Sequence, residues 1–124
     1  MDESHAELGS AAGPLSSAAD IFAIDDLDTI DVEVPEWRGS IRIRKLTAEE
    51  AITFGETVDG PARRSANVRL VIACAVDDHG KSLFTKEHLE PLKRKSMKAI
   101  NLIATEALRF NGLLKEDEGR AKNA

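Results

Sequence analysis

A chain of 124 residues with 42% hydrophobic content holds one modest domain with a real core, and 4% aromatics without a tyrosine make that core aliphatic. No apolar run approaches the about 20 residues of a membrane span, and the N-terminus lacks the basic flank and apolar stretch of a secretory signal. The net charge of −5 divides into −10 over residues 1–36, which hold no Lys or Arg, and +5 over residues 37–124. Such asymmetry predicts either a solvated acidic tail or an acidic segment lying on a basic surface.

Residues 1–19 form the predicted leader, and the Ala, Ser and Gly content of its first sixteen residues predicts disorder. Ser17 or Asp20 starts a short helical turn carrying Ile21, Phe22, Ile24 and Leu27 among acids. That acidic-apolar pattern suits docking in a groove, of this chain or of a partner.

Residues 29–50, TIDVEVPEWRGSIRIRKLTAEE, then read as a hairpin and a capped helix. Ile30, Val32 and Val34 alternate with Asp31 and Glu33, and Ile41 and Ile43 alternate with Arg42 and Arg44. Matching charges and apolar residues together predicts Glu33 opposite Arg42, Asp31 opposite Arg44, Val34 opposite Ile41 and Val32 opposite Ile43. Trp37, in the loop from Pro35 to Gly39, is either a lid on the core or a contact residue.

Thr47 with Glu50 three residues on is a capping box, and predicts a helix over about 48–57. Val68, Val71, Ile72, Ala75 and Val76 mark the buried stripe of a second helix spanning 62–76. Asp77-Asp78-His79-Gly80 is a turn, and Leu83-Phe84 is extended. Thr85 caps a brief helix that Pro91 ends or kinks. Ser96 caps a last helix over about 97–111, with Ile100, Ile103, Ala104, Ala107, Leu108 and Phe110 on a broad apolar face and Asn111-Gly112 at its end. A hairpin cannot stand alone in water, so it packs on the helices. The expected fold is α+β: a small, mostly helical domain over 20–114 with an N-terminal β-hairpin, disordered ends and a flexible polar tail at 115–124.

Catalytic chemistry finds little support in these residues. Asp77, Asp78 and His79 serve a turn better than a metal, because no second ligand cluster follows at a metal spacing. His5 and His88 have no partner base or orienter. Cys74 beside an apolar stripe reads as a small buried thiol, which with the missing signal fits a reducing cytoplasm. No glycine-rich phosphate loop occurs, so no cofactor, metal or enzymatic activity is expected. Lys93, Arg94, Lys95 and Lys98 form one basic cluster, and Arg63, Arg64 and Arg69 a looser one. A small nucleic-acid-binding regulator would use them, but the chain is net acidic and no aromatics interleave the bases. A docking surface for an acidic protein segment, or a solvated helix end, fits better.

The order of these pieces resembles the tail assembly chaperones of long-tailed bacteriophages and prophages. The matching stretches are Val32 to Leu46 (V-x-V-P-x-W-x-G-x-I-x-I-R-x-L), Thr47 to Glu50, Val76 to Thr85 (V-D-D-x-G-x-x-L-F-T) and Asn111 to Leu113, within residues 20–114. The resemblance implies a binding protein that coats the tape measure protein, keeps it soluble and helps recruit tail tube subunits. It also implies self-association as a possibility, a location in the bacterial host cytoplasm, and absence from the mature virion. A minor structural tail protein is the competing role. A chaperone of a long helical client needs an exchangeable apolar surface, and Ile103, Phe110 and Leu114 on the last helix are the candidates, followed by Trp37 and Phe22. The plain alternative for the helix face is that it forms the domain core.

Overall fold

The computed structural model describes residues 13–114. Residues 1–12 and the tail at 115–124 lie outside the described residues, so the disorder expected of both ends falls mostly on them. Helix α1 (Ala18–Phe22) comes first, with the Ser17 side chain accepting from the Asp20 amide as its N-cap. It buries none of its residues.

Strands β1 (Thr29–Val34) and β2 (Gly39–Arg44) form the predicted antiparallel hairpin, with its apolar residues on one face. Val32, Val34 and Ile43 are buried, and Ile30 and Ile41 pack beside them. The register differs from the prediction by two residues. Asp31 faces Arg42, Val32 faces Ile41, Thr29 faces Arg44, and Glu33 faces Ser40. The cause is the loop. Pro35–Trp37 form a 3-10 turn, and Arg38 at φ 56° turns the chain back, so Gly39 already pairs with Val34. Face matching fixes register only to within an even shift, because a two-residue slide returns every side chain to its own face.

Helix α2 (Ala48–Val58) carries the predicted capping box in full: Glu50 N–H donates to Thr47 Oγ1 at 3.1 Å, and Thr47 N–H to Glu50 Oε1 at 3.0 Å. After a 3-10 turn (Arg63–Ser65), helix α3 (Ala66–Cys74) buries Leu70, Val71 and Cys74. The second helix was expected to run on to Val76. Instead Ala75 and Val76 are extended as β3, antiparallel to β2 with Ala75 opposite Ile43 and Val76 opposite Arg42. The three strands run in the order β1-β2-β3. β-branched Val76 suits a strand as readily as a helix, and the free edge of β2 supplies the pairing.

The Asp77 carboxylate accepts the amides of His79 (2.8 Å) and Lys81 (3.0 Å), and Gly80 at φ 81° completes the predicted turn. A 3-10 turn (Lys86–His88) leads into helix α4 (Leu89–Lys93). Pro91 is the third residue of α4, which ends two residues beyond it. Pro91 occupies the first turn, where its missing N–H has no helical partner to lose. Helix α5 (Met97–Phe110) is capped by Ser96 and buries Ala99, Ile100, Ile103, Ala104 and Ala107. It ends in a Schellman motif at Gly112 (φ 70°): Leu113 N–H donates to Leu108 O at 2.8 Å and Gly112 N–H to Arg109 O at 3.1 Å. The core therefore lies between the sheet and helices α3 and α5, and α2 stands on its flank.

Candidate functional site

Helix α5 brings the predicted contact residues to two separate places. Ile103 has no exposed surface and holds α5 in the core, the plain alternative already weighed for this face. Phe110 is half-buried as the last residue of α5, whereas Leu114, expected on the same helix face, is half-buried four residues beyond it, because the turn at Asn111-Gly112 ends the helix first. There the Lys45 ammonium lies 5.5 Å from the Phe110 ring centroid, and the Asn111 side chain accepts the Leu46 amide at 2.8 Å. The Asn111 amide nitrogen donates to Ala107 O at 2.8 Å, so one side chain ties the helix end to the link between β2 and α2.

Trp37 sits at the other end of the same helix, about 20 Å away for fourteen residues at 1.5 Å rise. It is half-buried and packs on the core, as a lid would. Beside it Ser96 Oγ donates to Glu36 Oε1 at 2.7 Å, fastening the hairpin loop to the start of α5. Phe22 on α1 is 83% exposed. The five candidates thus do not form one patch.

An apolar groove that the sequence did not single out opens between α2, α3 and the start of α4, with a volume of about 420 Å³. Phe54, Leu70, Ile72 and Leu89 line it, with Glu49 and Arg69 among the charged residues. Its sequence signal is faint: α2 has an apolar set too sparse to bury itself, and Ile52 on it is 62% exposed.

At the head of α2 the Arg44 guanidinium makes a two-pronged bridge to Glu50, both distances 2.8 Å, and also donates to the carbonyls of Lys45 (2.8 Å) and Ala73 (3.0 Å). The hydrogen bonds from Arg44 hold the Glu50 carboxyl below its ordinary value. The two-residue register shift makes this possible: Arg44 faces Thr29 instead of Asp31, so its charge is free for Glu50. A capping glutamate six residues after a strand arginine was the available signal.

Cys74 is fully buried, and burial pushes its thiol up to about 12, which leaves it protonated at neutral pH. His79 lies 3.9 Å from Asp78 with both side chains in water, and His88 Nδ1 accepts the Thr85 amide at 3.0 Å. His5 lies outside the described residues. Among the described residues no three His, Cys, Asp or Glu side chains gather as a metal site, and no helix is long and apolar enough to cross a membrane.

These features describe a small α+β domain with an aliphatic core, exposed apolar side chains and tightly fastened helix ends. The solved structure of the bacteriophage HK97 tail assembly chaperone is similar to it, with a TM-score of 0.55 and 22% identity over 73% of this chain and 90% of that one. The chain therefore has a tail assembly chaperone-like fold. No family model and no curated protein matches it.

Proposed function

We propose that this protein is a phage tail assembly chaperone: it binds the tape measure protein and helps recruit tail tube subunits. The observation that carries this reading is the shared fold, which spans 90% of the HK97 chaperone. The order of sequence pieces that resembles that family supports it independently. The role is one of binding. The single cysteine is held as a thiol in the core, and the apolar side chains that remain in reach of a partner sit on surfaces instead of in a closed cavity. The chaperone would work in the host cytoplasm and leave before the virion matures.

Phe110 and Leu114 are the proposed client contacts, because they lie at and just past the end of α5 and keep part of their surface in water. Co-expression with a long helical tape measure protein, followed by pull-down, tests the reading. The wild-type chain should keep the client soluble and co-purify with it. Leu114→Asp should abolish co-purification with an unchanged circular dichroism spectrum. A soluble client recovered without the chain attached would refute the proposed function; Leu114→Asp that binds normally would move the contact away from the segment that follows α5.

A further inference from the structure

The two basic clusters of the sequence meet in the fold. Arg63 and Arg64, from the turn before α3, and Lys93 and Lys95, at and just past the end of α4, border one groove of about 330 Å³. All four side chains are exposed. Buried Leu92 and Ile100 lie at its base, and Val58 and Met97 add apolar surface in reach of water. Met97 is 75% exposed at the first position of α5, where it adds nothing to the core. Among the described residues no carboxylate lines the groove, and of its four bases only Lys93 has an ion-pair partner, Glu90 at 3.2 Å.

The whole chain carries a net charge of −5, so four bases without an acid among the lining residues are a local concentration of the opposite sign. An apolar floor inside a basic rim suits a ligand that is apolar on one side and acidic on the other. Burial of apolar surface supplies the affinity, and the charges choose the partner. A single-stranded nucleic acid would match the charge, but the groove holds no aromatic ring on which its bases could stack.

The lining residues belong to helices and the turns between them, and none to a strand. The groove therefore offers no row of unpaired backbone groups to an extended peptide, and its occupant must satisfy its own backbone, as a helix does. The acidic segment 18–28 of the same chain is not that occupant. Lys45 N–H donates to Asp28 O at 2.9 Å, and the Lys45 ammonium lies over the Phe110 ring, so the segment joins the fold at the opposite end of α5 from Met97.

We infer that the groove bordered by Arg63, Arg64, Lys93 and Lys95 is a docking site for an acidic amphipathic helix of another protein. Met97 and Val58 meet the apolar face of that helix, and carboxylates along its flanks pair with the four bases. The inference does not rest on the chaperone reading, because the groove lies at the other end of α5 from Phe110, the client contact proposed there.

Fluorescence anisotropy with the full chain tests it. The probe is a labelled synthetic peptide of about 18 residues, long enough for a helix, with Leu at i, i+3, i+4 and i+7 on one face and Glu on the other. It should bind, and a peptide with Lys in place of Glu, or with the same residues scattered, should bind far more weakly. Arg63→Glu with Arg64→Glu should weaken binding about ten-fold, since each reversal replaces an attraction by a repulsion, and Met97→Asp should weaken it several-fold. Should the double variant fold poorly, Lys93→Glu with Lys95→Glu serves instead. Lys81→Glu, which reverses an exposed base outside the groove, should bind as wild type. No binding of the acidic peptide, equal binding of the scattered one, or groove variants that bind as wild type would each overturn the proposal. A thymidine oligonucleotide that binds more tightly than the peptide would assign the groove to nucleic acid and overturn it too. So would a dimer of the chain alone, seen in sedimentation, that the charge reversals dissolve, because the occupant would then be a second copy.

Discussion

Helices α2 and α5 are of similar length and both begin with a hydroxyl cap, yet they are held by different physics. α5 buries five side chains, Ile103 among them without any exposed surface, and loses its identity as a helix only if the core opens. α2 buries none fully: Ala51 and Phe54 pack on the edge of the core, and the Thr47–Glu50 box and Arg44, which grips Glu50 from β2, fasten its head. The contrast teaches that full burial secures one helix of this domain, while the other relies on partial packing at the core's edge and on polar contacts at its head. Local opening should therefore begin at α2, which forms one wall of the larger apolar groove.

The sharpest way to break the contrast is to empty the α5 core. Ile103→Ala should cost about 2–5 kcal/mol in chemical denaturation, because the missing methyl groups leave a cavity between α5 and its neighbours. A loss below the cost of an ordinary surface substitution would mean that α5 is not the keystone. Next in size is Arg44→Met, which should cost about 1–2 kcal/mol, since it removes charge-assisted bonds that water partly screens. Native-state hydrogen exchange should show the loss first in α2. Uniform loss of protection across all helices would contradict the separation.

The same bridge predicts a pH dependence. Glu50 has a folded pKa held below its unfolded value of about 4.3, so its stabilisation is complete above that pH and is lost as pH falls through the depressed folded value. The acid limb of a melting-temperature profile should flatten in Glu50→Gln. Asp31 and Asp77 are held low too, by Arg42 and by backbone amides, and sustain the rest of the limb. A profile identical to wild type would show the bridge to be inert.

The smallest effect belongs to the hairpin surface. Arg42→Glu should lower the melting temperature slightly by facing Asp31, and Asp31→Arg added to it should recover most of the loss. Pairing the reversal with Glu33→Arg should recover less, because Glu33 stands opposite Ser40 and only diagonally from residue 42.

Much of this molecule is local in origin. Alternation at residues 30–34 and 41–43 determined the hairpin and its buried face; Ser17, Thr47 and Ser96 marked helix starts, and Asn111-Gly112 the last helix end, because caps are settled by a few neighbouring atoms. Tertiary structure decided whatever depended on distant residues. The hairpin's two-residue register shift followed from how a 3-10 turn with Arg38 closes the loop. Ala75 and Val76 became a strand because the edge of β2 was there to bond them. Arg44 left the wet face of the hairpin for a carboxylate on the next helix. The candidate contacts Ile103, Phe110, Leu114, Trp37 and Phe22 divided among the core, the two ends of α5 and α1. Apolar periodicity says that a side chain seeks cover and cannot say which neighbour provides it, so burial is legible in this sequence while the meeting of its two basic clusters in one groove is not.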